Sequence, residues 1–176
     1  MKLLITFTIL ILSIWPSYCQ NKKQTIITMK KNDTFPKENF VVLEATLTNN
    51  KPVIGSFNVA YEKYSYKASY PWCLEISIGL DLENVNEDGL PNNQEESSIV
   101  NKLEDELVSE IKKITTAHYI GHLFNDTFLD VYIYLDDPEK VHNFLQIQTN
   151  KEGLVRGFGY KITQDSKWET VEQYLN

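Results

Sequence analysis

The stretch AHYIGHLFNDTFLDVYIYLDDP, Ala117–Pro138, decides how the chain folds. Ala117 to Phe124 and Thr127 to Leu135 are apolar-rich runs joined by Asn125-Asp126, and the pair predicts two strands meeting at a tight turn. Side chains alternate along a strand. In the second run Leu129, Val131, Ile133 and Leu135 therefore share one face, and Phe128, Asp130, Tyr132 and Tyr134 share the other. The first face suits packing under helices. The second carries large rings with hydroxyls that favour water, as on an open sheet face that awaits a cover, a second subunit or a ligand. Asp137-Pro138 then opens a helix, since proline fits the first helical position and Asp its cap.

On the N-terminal side, Ile99, Val100, Leu103, Leu107, Val108, Ile111 and Ile114 recur at three- and four-residue steps. That spacing predicts an amphipathic helix of about five turns, with the acidic residues between them on a solvated face. Before it, Trp72, Leu74, Ile76, Ile78 and Leu80 alternate as a strand. On the C-terminal side, Val141, Phe144 and Leu145 mark the second helix, Leu154–Thr163 a last strand, and WETVEQYL (168–175) a short closing helix. Strand, helix, strand, strand, helix, strand is the split βαβ order. It predicts an α+β, ferredoxin-like βαββαβ antiparallel sheet with two helices on one face. Ahead of it, Val41, Leu43, Ala45 and Leu47, then Val53, Gly55, Phe57, Val59 and Tyr61, alternate on either side of TNNKP (48–52) as an N-terminal β-hairpin.

The chain starts MKLLITFTILILSIWPSYCQ, with one lysine and then an apolar run from Leu3 to Trp15. That run is well short of the roughly 20 residues that span a bilayer. With Pro16 ending it and small residues at Ser17 and Cys19, it predicts a secretory signal peptide over residues 1–19. The alternative is a lipoprotein acylated at Cys19, for which Tyr18 is a poor preceding residue. Residues 20–38 form a polar, lysine-rich leader, with a short strand at Thr25–Met29, and 39–176 a single domain. The expected location is periplasmic or secreted. Cleavage removes Lys2 and leaves 16 basic against 24 acidic side chains, a net charge of −8. Such an acidic chain is a poor partner for nucleic acid, which needs a positive surface. No second apolar run is long enough for a transmembrane segment. Cys73, alone after cleavage, can form no internal disulfide, and between Trp72 and Leu74 it is expected to be a small buried residue.

Three segments together resemble the bacterial "domain of unknown function 695" family: YPWCLEISIGLDLENVNEDGLPNNQEESSIVNKLEDELVSEI (70–111), HYIGHLFNDTFLDVYIYLDDPEKV (118–141) and KWETVEQYL (167–175). The resemblance rests on Pro-Trp entering a strand, Gly-Leu-Pro before an acidic helix start, Leu-Glu-Asp within that helix, a Gly between apolar runs, an aromatic strand ending in Asp-Pro, and a closing Trp with Tyr-Leu behind it. It covers roughly Phe40 to Leu175. It implies an α+β domain without an established activity, so it lends no catalytic residues. Many members of that family lack a secretory signal, and in this the chain departs from it.

NVNEDGLPNNQE, Asn84–Glu95, fits the twelve-residue calcium-loop template with Asn84, Asn86, Asp88, Gly89 and Glu95 at positions 1, 3, 5, 6 and 12. Asn at the first position, Pro91 at the eighth and an entering strand instead of a helix argue for a helix-starting turn, with Asn92 or Asn93 as cap. His118 and His122 lie four apart; on one face of a strand that is roughly 13 Å, too far to share an ion unaided. Tyr64, Tyr66 and Tyr70 either form a stacking platform or pack their rings against the domain. There is no phosphate-cradling glycine loop, no Gly-x-Ser-x-Gly and no His-Glu-x-x-His. The first functional expectation is a non-catalytic, exported binding or protein-interaction module without a cofactor. It would engage an unidentified protein or small ligand, or pair as a homodimer, through Phe128, Tyr132, Tyr134, Tyr64, Tyr66 and Tyr70. The alternative is a small, metal-assisted or metal-free hydrolase between the Asn84–Glu95 loop and the His118–His122 strand.

Overall fold

The computed structural model describes residues 35–46 and 50–176. The signal segment, the leader up to residue 34 with its Thr25–Met29 strand, and residues 47–49 of the hairpin turn lie outside them. The strands are β1 (Phe40–Thr46), β2 (Pro52–Asn58), β3 (Trp72–Gly79), β4 (Ala117–Asn125), β5 (Phe128–Leu135) and β6 (Phe158–Gln164). The helices are α1 (Gln94–Ile114), α2 (Pro138–Thr149) and α3 (Glu169–Leu175). All neighbouring strands pair antiparallel, in the order β1-β2-β4-β5-β3-β6. The fold is α+β, and the N-terminal hairpin extends the sheet beyond β4.

The alternation in β3 and β5 separates two cores. Leu74, Ile76 and Ile78 lie opposite Ile133, Val131 and Leu129, and with Leu103, Leu107 and Ile111 of α1 and Val141 and Leu145 of α2 they form an aliphatic layer. On the other face Cys73, Tyr132 and Tyr134 join Phe57, Tyr61, Tyr70 and Ile120, and Trp168, Val171 and Leu175 cover them. The face expected to be open is therefore closed by the chain itself. Asp165 is the clasp. Its carboxylate accepts from the Glu169 and Thr170 backbone N–H groups, each at 2.9 Å, and from the Tyr134 hydroxyl at 2.5 Å. Burial works against that carboxylate, but these donors bring it down to about 2. Trp168, in the left-handed region at φ 66°, stacks on Tyr134 at 4.1 Å and donates its indole N–H to Tyr70 O at 3.0 Å.

A bulge divides β4. The register runs Tyr119↔Ile133, then Gly121↔Tyr132, with Ile120 as the extra residue. Gly121 has φ +152°, and a Cβ there would collide with the Ser56 carbonyl oxygen, so only glycine fits. One inserted residue reverses the strand's phase. His118 consequently pairs with Tyr134 on the aromatic face, whereas His122 pairs with Val131 on the helix face. The expectation that the two histidines share a face is overturned by this residue.

The last strand starts later than its apolar pattern suggests, at Phe158. Residues 154–157 instead carry Arg156, the chain's only arginine, to the start of α1. There its guanidinium meets both Glu96 oxygens, with Nε at 2.9 Å from Oε1.

Candidate functional site

The sequence-derived candidates separate into three groups. Tyr132 and Tyr134 are buried, and Phe128 is partly exposed beyond the cover. Tyr64, Tyr66 and Tyr70 do not form an extended row. Two short 3₁₀ turns at Val59–Tyr61 and Lys67–Ser69 fold the segment back. Tyr64 and Tyr70 then converge on the buried His118, with ring centroids at 5.2 and 4.0 Å, and Tyr66 meets Tyr64 edge-on at 5.8 Å. These rings pack the domain. His118 Nδ1 meets the Tyr61 hydroxyl at 3.1 Å, and its Nε2 is buried with no hydrogen-bond partner among the described residues. Burial pushes the imidazole down to about 4 and drives the Tyr61, Tyr132 and Tyr134 hydroxyls well above the ordinary tyrosine range. Cys73, fully buried, is pushed up to about 12 by the same loss of solvent.

The Asn84–Glu95 loop directs its oxygens at its own chain. Asn86 Oδ1 accepts from the Asp88 and Leu90 N–H groups at 3.0 and 2.9 Å, and the Leu90 carbonyl accepts from Asn86 N–H at 2.8 Å. Asn84 Oδ1 accepts from the Asn93 side chain, while Asp88 and Glu95 are exposed. Gly89 at φ +80° abuts the β4–β5 turn, where its carbonyl accepts from Thr127 N–H. Asn93 caps α1 by accepting from Glu96 N–H at 2.9 Å. The Glu96 side chain does not reach back to complete a capping box; it accepts from Asp81 N–H and Arg156. Among the described residues no cluster of three or more His, Cys, Asp or Glu is arranged to hold a metal. The loop docks against the β4–β5 turn, away from the histidines it was expected to join.

What pattern reading missed lies on the helix face of β4. Glu104 sits at a helix position assigned to the solvated side, yet it is buried. Its Oε2 lies 2.7 Å from His122 Nδ1, and its Oε1 accepts from the Tyr119 hydroxyl at 2.6 Å. Burial, then the Glu104 charge, raises the Tyr119 hydroxyl far above its usual range, so it stays a donor. His122 keeps 19 % of its side chain exposed, and its Nε2 has no protein partner among the described residues.

Beside this cluster the sheet runs out from under the helices. Ser56 and Ile54 of β2 pair with His122 and Phe124, and Val42 and Glu44 of β1 pair with Ser56 and Ile54. All therefore face the helix side of the sheet. Yet Val42 is 73 % exposed, Phe40 42 % and Ile54 40 %. The result is an apolar shelf walled by α1, with imidazole and carboxylate at the corner and, along its rim, a strand edge that no other described strand pairs. The only signal for it in the sequence is the alternation of β1 itself.

A family model described as "Family of unknown function (DUF695)" matches residues 42–176. No curated protein matches the chain, and no solved structure does.

Proposed function

The chain belongs to this family of unknown function, and from that premise we propose that it is a binding or protein-interaction domain that takes an extended polypeptide segment along β1. One observation carries the reading. Among the described residues β1 is an edge strand of seven residues, FVVLEAT, with no proline, no bulge and one charge. Natural proteins normally blunt such an edge with charge, bulges or a cover. An incoming strand would satisfy the backbone groups that no described strand pairs, and the exposed side chains of Phe40, Val42 and Ile54 would supply alternate-residue pockets. The sheet type suits this role. Taken without the hairpin, the order β4-β5-β3-β6 with α1 and α2 on one face supports a ferredoxin-like core, to which β1 and β2 add an arm. The signal-like segment of residues 1–19 supports action after export, in the periplasm or outside the cell.

Peptide display against the purified protein tests the binding reading. Wild type is expected to enrich peptides with alternating β-branched residues, and Val42→Lys to lose them. Enrichment indifferent to Val42→Lys would sink it. Light scattering over a dilution series asks whether a second copy takes the edge: a dimer lost in Val42→Lys makes the partner the chain itself. Intact mass from the native host tests export, with a mature chain beginning at Gln20 expected and a lipid on Cys19 contradicting simple cleavage.

A further inference from the structure

The corner of the shelf holds more polar chemistry than a docking surface requires. The buried Glu104 carboxylate is fixed on one oxygen by the Tyr119 hydroxyl at 2.6 Å and meets His122 Nδ1 on the other at 2.7 Å. An ionised carboxylate at Nδ1 holds the proton there and leaves Nε2 as the basic nitrogen. Directly across the β2–β4 register from His122 is Ser56. Cross-strand partners point to the same face with Cβ atoms about 5 Å apart, and the Ser56 hydroxyl makes no hydrogen bond among the described residues. His122 reaches this face only because the Ile120–Gly121 bulge shifts the strand's phase, and bulges of this kind re-aim side chains beside active sites. Asn101 lies one helical turn before Glu104 on the same side of α1. Its amide makes no hydrogen bond among the described residues, and its Oδ1 is buried. That oxygen is an acceptor; the group of this carboxamide that can donate to an oxyanion is its Nδ2.

We propose that Ser56, His122 and Glu104 form an acyl-transfer site for a carboxylic ester whose apolar acyl part lies on the Phe40–Val42–Ile54 shelf. Ser56 Oγ attacks the ester carbonyl carbon as its proton passes to His122 Nε2. The new C–O bond gives a tetrahedral adduct, whose oxyanion accepts from the Asn101 Nδ2 hydrogens in this scheme. The adduct collapses by breaking the bond to the alcohol oxygen, which takes the proton from Nε2. Water, deprotonated by the same nitrogen, then attacks the acyl-serine; the second adduct breaks its bond to Ser56 Oγ, which takes the proton from Nε2 as the carboxylic acid leaves. Glu104 is a positioning residue that holds the imidazole tautomer, and Tyr119 holds Glu104. The site stands whether or not a polypeptide docks on β1.

The test treats purified protein with a fluorophosphonate probe, maps the adduct by mass spectrometry, and follows p-nitrophenyl butyrate hydrolysis. One adduct on Ser56 is expected, with turnover reduced about 100-fold or more in Ser56→Ala and in His122→Gln, and about 10-fold in Asn101→Ala. Glu104→Gln should lower kcat with KM unchanged, a separation that mere loosening of the helix would not give. Thermal melts of each variant show that the fold survives; Ser56→Ala removes one oxygen from a half-buried position. No adduct on Ser56 in folded wild type, or esterase activity equal in wild type and Ser56→Ala, overturns the proposal. Neither result bears on peptide selection by β1, so the two readings fail separately.

Discussion

The two faces of this sheet are packed by different chemistry. Under α1 and α2 the contacts are aliphatic, and the helices that make them follow directly from three- and four-residue spacing. On the opposite face Tyr61, Tyr70, Tyr132, Tyr134, His118 and Trp168 pack as rings, and each ring with a polar atom must find a partner or lose solvent without one. The aliphatic layer is held by area and shape, which are indifferent to pH. The aromatic layer is held by area together with a few hydrogen bonds and an imidazole kept neutral. A domain built this way should respond to acid through His118 on the aromatic side, and to alkali on both sides, since the Tyr119 hydroxyl on the helix face is raised as well.

The contrast is sharpest at Trp168. Truncation to Ala removes the stack on Tyr134 and both indole hydrogen bonds, to Tyr70 O and Lys67 O, and should cost about 4 kcal/mol. Chemical denaturation gives the value. Hydrogen exchange should show the α3 amides losing protection well before those of β3 and β5. Uniform loss across both faces would mean that the layers do not open separately.

Acid comes next. His118 titrates near 6.5 when unfolded and at about 4 when folded. Between those values the unfolded chain binds a proton that the folded chain refuses, so stability is full above pH 6.5 and is lost as the pH falls toward 4. The loss is at most about 3 kcal/mol. His118→Phe should flatten that limb of a melting-temperature profile; an unchanged limb would assign acid sensitivity elsewhere. Alkali acts with the opposite sign. Tyr61, Tyr132 and Tyr134 ionise above their ordinary value, so the stability they carry is lost as the pH rises past about 10, where the unfolded tyrosines ionise.

Two smaller changes probe the aliphatic side. Glu96→Gln weakens the paired contact with Arg156 and the link to Asp81, for about 2 kcal/mol. That loss should be constant from pH 6 to 8, because Arg156 holds the Glu96 carboxyl below its usual range. Asn93→Ala removes the α1 cap for about 1 kcal/mol. Neither should alter near-ultraviolet circular dichroism from the Trp168–Tyr134 stack; a change in that signal would couple the faces.

Much of the fold was legible because most elements obey one period over their whole length. The strand faces of β3 and β5, the α1 stripe, an Asn92 or Asn93 cap and the Asp137-Pro138 start of α2 all follow from local rules. What stayed illegible depends on long-range contacts. The Tyr132–Tyr134 face reads as open because its cover, Trp168 to Leu175, lies some 35 residues further along the chain, and a seven-residue helix gives little indication of what it covers. Glu104 and Glu96 read as solvated because charge on a helix usually is; their partners His122 and Arg156 are visible only once the chain is folded. The hydrolase alternative set the Asn84–Glu95 loop against the histidine strand, but the loop docks on the β4–β5 turn. Proximity in sequence suggested the Asn84–Glu95 loop, whereas the carboxylate beside His122 comes from mid-helix.

The bulge at Ile120 has a consequence for comparing this chain with others. From His122 onward β4 is written one step out of phase with its own first half, so the polar and apolar roles of odd and even positions are exchanged. A relative lacking that extra residue would keep both faces with every later position unchanged, because Tyr119, Gly121 and His122 already lie opposite Ile133, Tyr132 and Val131 in succession. The true correspondence then carries a one-residue gap at Ile120, and an ungapped alignment would put every later position on the wrong face. For a substitution survey the extra residue behaves as a reading-frame mark. Deleting Ile120 should leave His122 opposite Val131 and Leu123 opposite Asp130 at the cost of one buried side chain, whereas inserting a residue after Gly121 should turn His122 to the aromatic face and Leu123 to the helix face.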